Sequence, residues 1–221
     1  MNAEQARANM VEQQIRPWDV LDQDVLDLLY LVPREEFVPA EYRALAFSDL
    51  EVPLEAGKPA GERMWQPKLE ARVLQELGLR KTDRALEVGT GSGYFCALLA
   101  HRCAQVVSVE IDAALAASGG ANLERHGVDN VTLEIGDAAR GWERHAPYDV
   151  IVLTGSTPVL PRAFLEQLAP EGRLFAVVGE APAMSAQLFL AAAPGAARST
   201  TLFETVLKPL VNCARPSRFS F

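Results

Sequence analysis

Three features of the chain predict an α/β fold built on a mainly parallel sheet. From Arg84 onward, short apolar runs alternate with segments of helical period, the texture of strand–helix–strand units. Glycines cluster where the first of these strands passes into the first of these helices, the point at which an open sheet turns tightly. With 221 residues, 49% hydrophobic and 23% charged, the chain can bury one sizeable core without disulfide or metal staples.

The elements follow in order. Residues 3–16 place Ala6, Met10 and Ile15 on one side of a polar helix that Pro17 stops. Asp22 caps a second helix carrying Val25, Leu28, Leu29 and Val32, and Pro33 ends it. Residues 33–65 are rich in proline, glycine and aromatics without a regular period, so they read as ordered loop and short turns, a length of loop that usually carries function. Pro67 suits the first turn of a helix to Leu77, after which Gly78 breaks it. Strands are predicted at 84–88, 105–110, 130–135, 148–154 and 172–178, with helices at 92–102, 112–126 and 161–169. Two more strands, 184–192 and 199–207, flank the turn dipeptide Pro194-Gly195, so the seven-stranded sheet ends in an antiparallel hairpin. Ser118-Gly119-Gly120 sits in mid-helix, where each glycine costs about 1 kcal/mol relative to alanine, and a kink is expected there. The chain divides into a helical cap with its loop, 1–78, and the sheet domain, 79–221.

Charge and cysteine usage narrow the function. Lys and Arg number 21 against 29 Asp and Glu, a formal net charge of −8, which argues against tracking a nucleic-acid backbone. Cys96, Cys103 and Cys213 show no CxxC or Cys/His ligand spacing, so free thiols in a reducing compartment and no metal site are expected. Met1-Asn2-Ala3-Glu4-Gln5 is not a basic segment leading into an apolar one, and no window approaches a membrane span. A cytoplasmic location is the expectation.

The strongest chemical signal is Leu86-Glu87-Val88-Gly89-Thr90-Gly91-Ser92-Gly93-Tyr94, at a strand end and opening a helix. A dinucleotide fingerprint needs a small residue where Tyr94 stands, for close packing of helix on strand. The spacing acidic-x-Gly-x-Gly-x-Gly, with Glu87 two residues ahead of Gly89, instead suits S-adenosylmethionine, whose amino-acid end is zwitterionic and brings no pyrophosphate. Glu110 closes the second strand, where an acid accepts from both ribose hydroxyls, with Ile111 beside it. Asp137, in Gly136-Asp137-Ala138 after the third strand, is placed to accept from the adenine amino group. Thr154-Gly155-Ser156 follows the fourth strand, where its hydroxyls either contact a ligand or cap the helix near Pro161 or the turn before it. The candidate cofactor set is therefore Glu87, Gly89, Thr90, Gly91, Gly93, Tyr94, Glu110, Ile111, Asp137, Ala138 and Thr154.

These segments, with Tyr148-Asp149-Val150-Ile151-Val152-Leu153-Thr154 and Leu168-Ala169-Pro170-Glu171-Gly172-Arg173-Leu174, resemble the Rossmann-like core of class I methyltransferases. The flanks sharpen the match. Asn9-Met10-Val11, Val32-Pro33-Arg34-Glu35-Glu36-Phe37-Val38, Ala46-Phe47-Ser48-Asp49, Gln66-Pro67 and Lys208-Pro209-Leu210-Val211 resemble the protein-L-isoaspartate O-methyltransferases over nearly the whole chain. The resemblance implies a repair enzyme that methylates the free carboxylate of isoaspartyl residues in damaged proteins. It also implies that Trp65 and Gln66 lie in the substrate loop, because Glu62-Arg63-Met64-Trp65-Gln66-Pro67 aligns with the last six residues of the family's Gly-Gln-Thr-Ile-Ser-Gln-Pro.

Trp65 stands where the family has the serine that helps place the acceptor, and Lys58-Pro59-Ala60-Gly61 ahead of it also departs from the pattern. An indole there is either a hydrophobic lid over the cofactor or an aromatic wall for a flatter acceptor. A carboxylate is ionised at neutral pH and needs no base, whereas an amine or hydroxyl acceptor needs one. His101 and His126 fall at helix ends on the edge of the sheet opposite the cofactor, and His145 precedes a strand on that far edge, so Asp49 is the candidate base. Carboxyl O-methylation leads. The alternatives are another O-methyl acceptor, small and acidic or planar, and a non-catalytic S-adenosylmethionine-binding protein; Tyr94 argues against a nicotinamide oxidoreductase. Arg215, Arg218 and Phe219 in the tail are candidates for a partner contact.

Overall fold

The computed structural model describes residues 2–58 and 61–215; Pro59, Ala60 and the tail residues Arg218 and Phe219 lie outside them. The cap holds helices α1 (Ala3–Met10) and α2 (Gln23–Leu31), the short strands β1 (Val52–Pro53) and β2 (Arg63–Met64), and helix α3 (Pro67–Leu77). Then come β3 (Arg84–Val88), α4 (Tyr94–Arg102), β4 (Gln105–Glu110), α5 (Ala113–Arg125), β5 (Val131–Ile135) and β6 (Tyr148–Thr157). Helix α6 (Arg162–Glu166) and strands β7 (Leu168–Glu180), β8 (Ala183–Ala193) and β9 (Ala196–Glu204) complete it.

The main sheet has the order β5-β4-β3-β6-β7-β8-β9. Its first five strands are parallel, and β8 and β9 run antiparallel as the expected hairpin. Strand residues alternate between the two faces. Ala85, Val106, Val150 and Val152 join the apolar cluster beneath the cap, whereas Leu86, Val107, Ile151 and Leu153 join the cluster on the other face. Met10, Leu29, Leu74 and Trp65 belong to the first cluster together with Phe175 of β7, so cap and sheet share one core.

The structure corrects three expectations. The N-terminal helix does not stop before Pro17: a π turn over Val11–Ile15 and a 3-10 turn over Arg16–Trp18 continue it, and proline tolerates the first positions of such a turn. The helix expected at 161–169 is only Arg162–Glu166, because Leu168 pairs with Tyr148 and Tyr148 N donates to the Gln167 carbonyl at 2.9 Å, drawing that stretch into β7. The second hairpin strand ends at Glu204 rather than 207. Helix α5 runs through Gly119-Gly120 as one helix. There the missing side chain is a packing device, since a Cβ on Gly119 would come within 2.8 Å of the Gly91 carbonyl oxygen.

The 33–65 loop contains 3-10 turns at Arg34–Glu36 and Ala40–Leu45 before the β1–β2 pair. It lies over the ends of β3, β4 and β6, beside the break in strand order where open α/β sheets place their ligands.

Candidate active site

A cleft of about 330 Å³ opens at the carboxyl ends of β3, β4 and β6. The glycine turn after Val88 forms one side. Gly89 has φ +99°, and a Cβ on it would collide with Thr154 Oγ1. That hydroxyl donates to the carbonyls of Val88 (2.7 Å) and Gly89 (2.9 Å), fixing the turn against β6. Gly91 N donates to Glu110 Oε2 at 2.9 Å, so the loop is also tied to the end of β4.

Three acids line this half. Glu87 is buried at the end of β3, and its Oε2 accepts from Ser108 Oγ at 2.5 Å. Burial pushes its carboxyl up to about 8, opposed by the Ser108 bond and the neighbouring Cys96 thiol and reinforced by the nearby charge of Glu110. Its Oε1 receives no N–H or O–H donor among the described residues. An ammonium group would supply that missing donor, which is the chemical fit an amino-acid moiety requires here. Glu110 Oε1 accepts from Asp112 N at 3.1 Å, and each oxygen keeps a further lone pair for a hydroxyl. Asp137 accepts from Ala139 N at 3.0 Å and from Asn212 Nδ2 at 2.9 Å. Ile111, 40% exposed, and the buried Ala138 supply apolar surface between these acids.

The cap builds the other half around Arg34. This buried arginine donates through Nε to the Ala46 carbonyl (2.8 Å) and through Nη2 to the Trp65 carbonyl (2.5 Å), and it ion-pairs with Glu70. Burial raises the Glu70 carboxyl to about 8, with Arg34 pulling the other way. One guanidinium thus fastens the 33–65 loop at Ala46 and Trp65 to helix α3 at Glu70. Trp65 is 6% exposed, its Nε1 donates to the Thr154 carbonyl at 2.8 Å, and its ring packs on Phe95 and Phe175 at 5.3 and 6.0 Å between centroids. The indole is a wall pinned at both ends, with one edge on the cleft.

The rim is charged, with Glu51, Glu62, Arg63 and Lys208 on the lining. Segment 207–211 reaches it because Ser156 Oγ donates to the Leu207 carbonyl (2.9 Å), Ser156 N to the Lys208 carbonyl (3.0 Å) and Leu210 N to the Ser156 carbonyl (2.9 Å).

Glu87, Gly89, Thr90, Gly91, Glu110, Ile111, Asp137, Ala138, Thr154 and Trp65 all line this single cleft. Four expected residues do not. Gly93 lies beneath the loop, where a Cβ would meet the Gly119 carbonyl oxygen at 2.8 Å. Tyr94 is buried, with the Arg34 guanidinium 5.0 Å from its ring centroid, and burial holds its phenol well above the ordinary range. Gln66 is the N-cap of α3, its carbonyl accepting from Leu69 N and Glu70 N. Asp49 is committed elsewhere, ion-paired with Lys68 at 2.7 Å, and Glu51 is the acid of that segment that faces the cleft. No histidine lines the cleft among the described residues; His126 stacks on Phe37 at 4.6 Å.

Reading by local spacing missed Arg34, Glu70, Asn212 and the pinning role of Ser156. Their partners lie tens of residues away; Arg34 stands in the Val-Pro-Arg segment and Ser156 in Thr154-Gly155-Ser156, whereas Glu70 and Asn212 carry no local mark.

The chain was compared with known proteins. Residues 5–213 match the family model described as protein-L-isoaspartate(D-aspartate) O-methyltransferase. A protein-L-isoaspartate O-methyltransferase of Koribacter versatilis is 37% identical over 205 residues, 93% of this chain and 90% of that protein. One of Methanoculleus marisnigri is 40% identical over 173 residues, 78% of this chain and 77% of that one. Among solved structures, a protein-L-isoaspartate O-methyltransferase superposes with a TM-score of 0.77 at 26% identity, covering 94% of this chain and 65% of that chain. A Plasmodium falciparum structure in complex with S-adenosyl-L-homocysteine gives 0.77 at 20% identity, covering 96% and 99%, a likeness of fold.

Proposed function

The chain belongs to the protein-L-isoaspartate(D-aspartate) O-methyltransferase family, and from that premise we propose that it methylates the free carboxylate of isoaspartyl residues in damaged proteins, using S-adenosyl-L-methionine and leaving S-adenosyl-L-homocysteine. The observation that carries the donor assignment is Glu87 Oε1, a buried atom of a cleft-lining residue, without an N–H or O–H donor among the described residues.

When bound, the donor supplies a methyl group on a sulfonium, open to in-line displacement by an acceptor oxygen. In this reading Glu87 holds its ammonium, Gly89, Thr90 and Gly91 follow its amino-acid moiety, and Glu110 accepts from the ribose hydroxyls. Ile111 and Ala138 pack against the adenine while Asp137 accepts from its amino group. Thr154 fixes the turn, Gly93 lets α5 close on it, and Tyr94 supports Arg34. Trp65 shapes the acceptor side, with Gln66 and Asp49 placing helix α3 behind it. The division at residue 78 separates this acceptor cap from the donor-binding core.

An isoaspartyl carboxylate, with an ordinary pKa near 4, is already ionised. It asks the protein for alignment and exclusion of water rather than for a base, which suits a cleft without a histidine among the described residues. A cytoplasmic site of action fits the three free thiols; no helix among the described residues is long and apolar enough to cross a membrane.

The test is transfer of labelled methyl to an isoaspartyl peptide beside its aspartyl counterpart, read as base-labile methanol. Transfer to the isoaspartyl form alone is expected. Donor binding without transfer to either peptide would replace this reading with a second, which Trp65 favours: a small acidic or planar acceptor lying against the indole.

A further inference from the structure

An anionic acceptor faces an electrostatic problem in this cleft. Its lining is rich in carboxyl groups, and its cations among the described residues are Arg63 and Lys208. Arg63 stands on the loop beside Glu51, donating through Nη1 to the Glu51 carbonyl at 3.2 Å and drawing down the Glu51 carboxyl that burial raises. The wall offers a carboxylate nothing, because the single N–H of the Trp65 indole is spent on the Thr154 carbonyl.

Lys208 is placed differently. Its backbone is fastened to the end of β6 through Ser156, so the residue sits at a fixed point of the rim. Its side chain is half exposed, and Nζ lies 2.5 Å from Glu62 Oε1, on the opposite bank and 146 residues away in sequence. That exposed ion pair contributes little to the fold, so replacing one carboxylate by another at Nζ is nearly neutral. An acceptor carboxylate left without a cation among acids is not neutral.

We propose that Lys208 receives the acceptor's carboxylate, releasing Glu62 in exchange, and so selects anionic acceptors at the mouth of the cleft. The proposal rests on the functional reading above. It makes Lys208 a specificity-determining residue and Glu62 its internal competitor.

The experiment is calorimetric titration of the S-adenosylhomocysteine-loaded protein with an isoaspartyl peptide, its isoasparaginyl counterpart and glutarate, for wild type, K208M, K208R and E62Q. Expected is a loss of about tenfold or more in isoaspartyl-peptide affinity for K208M, the worth of a charge-assisted hydrogen bond, with recovery in K208R. E62Q should tighten binding by about two- to fivefold. The isoasparaginyl peptide should be indifferent to all three changes, and in methyl transfer K208M should raise KM with kcat little altered. Wild-type binding of the isoaspartyl peptide that K208M leaves unchanged overturns the role of Lys208 and spares the functional reading. Glutarate binding that depends on Lys208, without isoaspartyl-peptide binding, does the reverse. Absence of binding to every carboxylate by the folded, loaded protein overturns both.

Discussion

The two banks of the cleft are built by different physics. The donor bank stands on the ends of three parallel strands, and its polar atoms are mostly buried and bonded to one another: Thr90 to Ser108, Ser108 to Glu87, Gly91 to Glu110. The other bank, the acceptor side in the proposed reading, is a loop with two very short strands, fastened from behind by Arg34 and carrying at its rim exposed charges such as Glu62, which pairs with Lys208 across the mouth. In the proposed reading the strand ends hold the donor, a ligand of constant shape, and the loop, with its anchor behind it and its charges in front, takes the variable peptide while Trp65 stays in place.

The largest expected effect tests whether the acceptor bank depends on its buried anchor. Arg34→Ala leaves Glu70 buried without its partner and should cost about 3–5 kcal/mol in chemical denaturation, with the cap loosened more than the strand ends in hydrogen exchange. Close behind it, Trp65→Ser removes a buried ring and its bond to Thr154 and should cost about 3–5 kcal/mol at most. Activity on isoaspartyl peptides should rise in the surviving protein if the indole limits the acceptor; unchanged activity on every such peptide would show that it does not.

On the donor bank, Glu110→Ala should weaken S-adenosylmethionine binding by about 10- to 100-fold, the range for hydrogen bonds to a charged group, with little change in isoaspartyl-peptide affinity. Equal losses for both ligands would merge the two banks into one unit. A smaller effect is expected from pH. The Glu87 carboxyl is raised to about 8, so its proton favours the unliganded fold fully below about 4.5, and that contribution fades as pH climbs through 8. Donor binding by an ammonium requires the ionised form, so affinity should increase by at most about tenfold per pH unit up to about 8. It should fall above that as the donor's own α-amino group loses its proton. Glu87→Gln should flatten the rising limb; an unchanged profile would remove Glu87 from ammonium binding. Least of all, Glu62→Gln should shift stability by under about 1 kcal/mol and reduce its dependence on salt.

Much of the donor bank was legible in the chain because its parts are local. A strand end, a run of glycines and an acid closing the next strand are each set by a few neighbouring residues, and parallel topology then brings them side by side. The helix expected at 161–169 failed for the opposite reason: pairing of Leu168 with Tyr148 outweighed helical period. The Gly119-Gly120 pair has no local explanation because the contact that needs Gly119, with Gly91 and Gly93, lies across a helix–loop interface.

What the sequence by itself determined is therefore the α/β class, the alternating strand faces, the terminal hairpin and the glycine turn with the acids that line its cleft, since periodicity and turn chemistry are short-range. Only the tertiary structure decided that Asp49 belongs to Lys68 rather than to the cleft, that Trp65 is pinned between Arg34 and Thr154, and that Lys208 meets Glu62 across the mouth. Those pairings join residues far apart in the chain, and a charged or aromatic side chain carries no local mark of the partner that folding will bring to it.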